Sequence, residues 1–97
     1  MTNMNDKVIE QYHNDEKMMI LVFAQWCINH DLDPLELYQR AYPNQPANKL
    51  LLDILSLTVP KEESEIIDDQ LVIHALITFD NVDLAMIVQE EIDKRNQ

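Results

Sequence analysis

Leu71-Val72-Ile73-His74-Ala75-Leu76-Ile77-Thr78-Phe79 is the stretch on which the fold class turns. It is rich in Val, Ile, Thr and Phe, types enriched in strands, so a buried strand is one reading. Its alternation of polar and apolar positions is poor, however, and no partner strand is evident in the chain. Ile66, Ile67, Leu71, His74, Ala75 and Thr78 recur instead at helical spacing. Upstream of them Glu62, Glu63 and Glu65 form an acidic opening that complements the positive end of a helix. The spacing predicts a helix, with the strand as its alternative.

Downstream, Asp80 or Asn81 caps a last helix carrying the stripe Leu84, Ile87, Val88 and Ile92. That helix closes on Lys94 and Arg95, cations at its negative end. Upstream, all four prolines lie between Pro34 and Pro60 and cut the middle of the chain into short pieces. Asp33-Pro34-Leu35-Glu36 reads as an N-cap, a first-position proline and a capping-box partner, with the helix ending near Tyr42 before Pro43. A second proline-started helix is expected from Pro46 to about Leu57, presenting Leu51, Ile54 and Leu55, with Leu50 and Leu52 broadening that face. The first segment, about Asn5 to His30, reads as one long helix or as a restart capped by Asn14. Its run Met18 to Ala24 is apolar all round, which places it near the domain centre.

Not one of the 97 residues is glycine, where ordinary usage gives roughly seven. Glycine is the default for positive φ, so tight hairpins, phosphate-cradling loops and nucleophile elbows usually need it. The expectation is an all-α fold: one compact bundle of four to five helices over residues 1–97, with short Pro, Asn and Asp connections. Residues 1–5 and 95–97 are expected to fray.

Hydrophobic content of 46% and charged content of 26% belong to a soluble globular protein. The longest mostly apolar uncharged run, Met18 to Ile28, is far short of the roughly 20 residues that span a bilayer. The N-terminus is polar and acidic, without a signal core, and Cys27 has no second cysteine to pair with. A reducing cytoplasm is the expected compartment. Eighteen acidic against seven basic side chains give a net charge of −11. Such a surface repels nucleic acid and anionic membranes and favours a basic protein partner.

Cys27, His30 and Asp31, with Asp33 near, are the only grouping with chemical promise. C-x-x-H is at most half a zinc site, and its apolar, acidic surroundings suppress a nucleophilic thiolate. The better reading is a core cysteine beside a helix-end histidine. Asp31-Leu32-Asp33 fails as a calcium loop, because Glu36 stands where glycine is needed and Tyr42 where a bidentate glutamate is needed. His74 reads as a hydrogen-bonded histidine at a core edge. No catalytic, cofactor or metal residues are assigned.

Two groups are candidates for partner binding. Glu62, Glu63, Glu65, Asp68 and Asp69 form the densest acidic cluster, either a solvated helix start or a landing site for a basic partner. Tyr38 and Tyr42 share one helix face, where they pack onto Trp26 or anchor a partner. Two segments, Met18 to Ile28 and Leu71 to Phe79, look buried on most sides, and a bundle this small has difficulty enclosing both. Either they pack on each other or one meets a second subunit, so a homodimer is an open alternative. The expected function is a non-enzymatic protein-interaction module, an adaptor or regulator. The alternatives are a nucleic-acid-imitating inhibitor of a DNA-binding protein and, behind it, an enzyme or metal site around Cys27, His30 and Asp31.

Overall fold

A computed structural model describes residues 4–97 apart from residue 47, with side chains described from Glu16 onward. Among the described residues five helices run in chain order: α1 (Met4–Asn29), α2 (Pro34–Ala41), α3 (Lys49–Leu55), α4 (Asp69–Thr78) and α5 (Val82–Arg95). A single 3-10 turn, Lys61–Glu63, lies between α3 and α4. No strand occurs among the described residues, so the Leu71–Phe79 stretch resolves to helix and the chain is all-α. The 55 × 33 × 22 Å outline is drawn out along one axis. At 1.5 Å per residue α1 alone is about 39 Å long.

α1 passes through Asn14 without a break, so the capped restart does not occur. No proline or glycine interrupts it, and Gln, Glu, Lys and Met are good helix formers. The glycine-free composition shows where α1 and α4 stop. Asp31 and Asp80 adopt left-handed backbone, at φ 59° and 62°. After α1, the Leu32 N–H donates to the Cys27 carbonyl at 2.8 Å and the Asp31 N–H to that of Ile28 at 3.1 Å. After α4, the Asn81 N–H donates to Leu76 at 2.8 Å and the Asp80 N–H to Ile77 at 3.0 Å. Both are Schellman closures, with aspartate where glycine usually sits.

Between these ends the local signals decide boundaries, not always the expected ones. Asp33 Oδ1 accepts from the Leu35 N–H at 2.9 Å, and α2 stops at Ala41, as its prolines require. α3 starts at Lys49 and not at Pro46, because Asn48 is the effective cap. Its Oδ1 accepts from the N–H groups of Leu50 and Leu51 at 2.9 and 3.2 Å. The helix also ends earlier than expected, at Leu55, with Leu51 and Ile54 buried and Leu55 partly so.

α4 departs most from expectation. Ile66 and Ile67 precede it, in an irregular strap of residues 57–68, and Ile66 is 99% exposed. The helix buries Val72 and Leu76, while Leu71 and Ile77 remain 54% and 51% exposed. Its rotation follows from Asp69, which docks on Trp26 and shares a face with Val72 and Leu76. α5 presents Leu84, Ala85, Val88 and Ile92 inward, close to the expected stripe. The core joins these side chains to Met19, Phe23, Trp26 and Cys27 of α1 and to Leu37, Leu51 and Ile54.

Candidate functional site

The last two turns of α1 send polar groups to three neighbours. Trp26 is buried, and its Nε1–H donates to Asp69 Oδ1 at 2.9 Å, joining α1 to the start of α4. Arg95, in the last turn of α5, is ion-paired with the other oxygen of Asp69. Its Nη1 also lies 3.1 Å from His30 Nδ1 and 3.3 Å from Nε2. His30 Nε2 is 3.9 Å from Asp69 Oδ1, and its ring centroid is 4.8 Å from that of Trp26. Trp26, Asp69 and Arg95 from three helices, with His30 just after α1, thus close one junction.

Burial alone would raise the Asp69 carboxyl, but hydrogen bonds from Arg95 and Trp26, then the charges of Arg95 and His30, hold it below its ordinary value. Burial first, then the Arg95 cation, lowers the His30 imidazole, with Asp69 and Asp31 opposing. Cys27 is fully buried, and burial followed by Asp33 and Glu91 pushes its thiol far up. Asp31 is held by Lys61, whose Nζ reaches its two oxygens at 3.0 and 2.8 Å. Among the described residues no cluster of three His, Cys, Asp or Glu is placed to hold a metal ion.

The adjoining side of α1 meets the strap. Gln25 is buried and behaves like a short stretch of backbone: its Nε2 donates to the Val59 carbonyl at 2.8 Å, and its Oε1 accepts from the Val59 N–H at 2.9 Å. One turn on, Asn29 Nδ2 donates to Ser64 Oγ at 3.1 Å and to the Glu65 carbonyl at 3.3 Å. Gln25 Nε2 also donates to Asn29 Oδ1 at 3.0 Å, which orients the second amide. With Lys61 on Asp31, the strap is pinned at three points. Leu21, Val22, Leu57, Val59 and Ile67 line an open apolar cleft beside it, with Glu65 at its edge. The amides of Gln25 and Asn29, four apart in the apolar C-terminal half of α1, were the sequence signal for this arrangement, and periodicity alone passes over them.

The expected partner-binding residues fall into three groups. Glu62, Glu63, Glu65 and Asp68 are exposed, and none of the described cations pairs with them. Asp69 is separated from that group by its engagement with Trp26 and Arg95. Tyr38 and Tyr42 lie elsewhere, on α2 and at its end. Their rings meet each other at 5.0 Å, tilted by 56°. Packing onto Trp26 gives way to this pairing, because the indole is already occupied by His30 and Asp69. The Tyr42 hydroxyl donates to Asn81 Oδ1 at 3.1 Å, at the α4–α5 turn.

Elsewhere Arg40 and Lys94 are also engaged within the molecule. Arg40 reaches Glu90 at 3.2 Å and Glu91 at 3.7 Å, and Lys94 reaches Glu91 at 3.0 Å. Asp69 is the single charged residue of α4, so the exposed surface of that helix is uncharged when His74 is neutral. None of the described helices is long and apolar enough to cross a membrane.

Comparison with known proteins places the chain in a family. Residues 1–93 match the YxiS family, and the chain belongs to it. A relative from Bacillus subtilis (strain 168), "Uncharacterized protein YxiS", is 55% identical over 96 residues, covering 97% of this chain and 100% of its own. No solved structure matches.

Proposed function

We propose that this member of the YxiS family is a non-catalytic protein-interaction module, an adaptor or regulator whose work is contact with another protein in the cytoplasm. The observation that carries the reading is the apolar cleft between α1 and the strap, with the Glu65 carboxylate at its edge and no ion-paired cation on it. Interfaces combine an apolar centre with a polar rim in this way. A charge of −11 steers a basic partner towards it.

The groups that chemistry would require are committed to the fold. The Cys27 thiol is buried and hard to ionise, Asp31 is tied to Lys61, and His30 lies against Arg95. A nucleophile, a base and an open space between them do not converge here, which supports contact over turnover.

A homodimer is a second reading with its own support. In a strongly acidic chain, the exposed side of α4 carries Gln70, Leu71, His74 and Thr78 and no Asp, Glu, Lys or Arg, with Asp68 at its start. Charge depletion marks interface centres, and a copy placed along the middle of α4 would leave the Asp68 carboxylate at the margin of the contact.

Affinity capture with the full chain from native cells, washed at rising salt, tests the module reading. A discrete protein retained at about 0.5 M salt is expected, since contacts made through apolar surface survive screening. A DNA-binding protein released steeply with salt would favour nucleic-acid imitation instead. A turnover abolished by Cys27→Ser or His30→Gln would overturn the module reading in favour of an enzyme.

A further inference from the structure

We infer that the α1–strap cleft seats a cationic amphipathic segment of another protein, its apolar side chains in the cleft and its Lys or Arg groups against Glu62, Glu63 and Glu65. This rests on the interaction-module reading and assigns that reading a place and a partner chemistry. Three observations carry it.

The first is incomplete cover. α1 is apolar all round from Met18 to Ala24, yet the strap reaches across its outer side only from Gln25 onward. Above that point Met18 is 57% exposed, and Leu57, on the neighbouring bank, is 64% exposed. Leu21 and Val22, half-buried, continue the same surface into the cleft. An amphipathic helix laid here would extend the path that the strap begins.

The second is preorganisation. Gln25 fixes Val59 through two hydrogen bonds, Asn29 fixes the backbone at Glu65, and Lys61 is fixed on Asp31. The wall of the cleft is therefore in place before anything binds, which lowers the ordering cost of association.

The third selects the occupant. Lys61 is the only cation of the strap, and both oxygens of Asp31 hold it, so none of the described cations is ion-paired with Glu62, Glu63 or Glu65. The strap thus carries a surplus of negative charge beside the cleft, with Glu65 at its edge and Glu62 and Glu63 on the adjoining 3-10 turn. A second copy would bring −11 against −11 at this rim, and charge selects against it. A positively charged segment gains from the same field.

The test is a titration of the isotope-labelled full chain, followed by NMR, with two designed helical peptides of identical leucine face. One carries lysine on its polar side and the other glutamate. The lysine peptide is expected to shift the amides of Leu21, Val22, Val59 and Ile67. Leu57→Lys, at an exposed position that leaves the fold intact by circular dichroism, should weaken that binding about tenfold or more. Glu65→Lys should weaken it about threefold and reduce its dependence on salt. Equal binding of the glutamate peptide, shifts confined to the α4–α5 face, or indifference to Leu57→Lys would each overturn the assignment. So would a dimer that Leu57→Lys converts to monomer, because the occupant would then be a second copy. If a cellular partner is captured and Leu57→Lys retains it, this site fails while the module reading stands. If nothing is captured and neither peptide binds, both fail.

Discussion

α1 is covered on its two sides by different physics. On one side Met19, Phe23, Trp26 and Cys27 interdigitate with side chains of four other helices, and the contact is dispersion and excluded water. On the other, an irregular strap is held by amide side chains that imitate backbone pairing. The packed side leaves no room for a visitor. The strapped side is ordered and still offers apolar surface, which is the combination a binding surface needs.

Breaking the packed side should have the largest effect. Trp26→Ala removes the indole and leaves Asp69 without one of its donors, and a loss of about 3–5 kcal/mol is expected by chemical denaturation. The polar anchor of the same junction comes next. Asp69→Asn should cost about 1.5–3 kcal/mol at neutral pH, since its partners bond to a charged group. The depressed Asp69 contributes stability above its ordinary value of 3.8 that is lost as pH falls through its lower folded value, so the variant should flatten the acid limb of a pH–stability curve. His30 acts in the same sense at a higher window. Its lowered folded value makes stability fall as pH drops below 6.5, and His30→Gln should remove that slope.

The strapped side is more sharply tested by a local probe than by a global one. Gln25→Ala should cost about 1–2 kcal/mol. The larger signature is hydrogen exchange at the Val59 amide, which should quicken well beyond the change at Val72 or Val88 in the core. Equal acceleration everywhere would show that the two sides form one cooperative unit, and the comparison would collapse.

The smallest effect compares the two left-handed aspartates. Asp80→Gly relieves a Cβ from positive φ and should stabilise by about 0.5–1 kcal/mol, measured by thermal melting. Asp31→Gly relieves the same strain but releases Lys61 from the strap, so its gain should be smaller. The difference between the two reads the third pin of the strap.

Much of the packed side was legible in the sequence. The Asp33-Pro34 start, the end of α2 before Pro43 and the α5 stripe follow from caps and periodicity, which act within a few residues. The absence of glycine correctly pointed to aspartate at the turns. The face of α4 was not legible, because its rotation is set by Asp69 meeting Trp26, forty-three positions away. Ile66 and Ile67 matched helical spacing by coincidence, in a segment whose backbone is claimed by Asn29 and Gln25 through contacts no local pattern records. Pro46 looked like a start, yet the Asn48 side chain two residues on supplied the hydrogen bonds and won. The acidic cluster could be located from sequence, but only the folded chain separates Asp69 from its neighbours.

The junction at Trp26 has an experimental consequence. It holds the single indole of the chain, between an imidazole and a carboxylate that bind it to α4. Intrinsic fluorescence of this protein is therefore a spectroscopic reporter of one seam, the docking of α4 and α5 on the end of α1. Emission changes on titrating acid through the histidine range would track that seam opening.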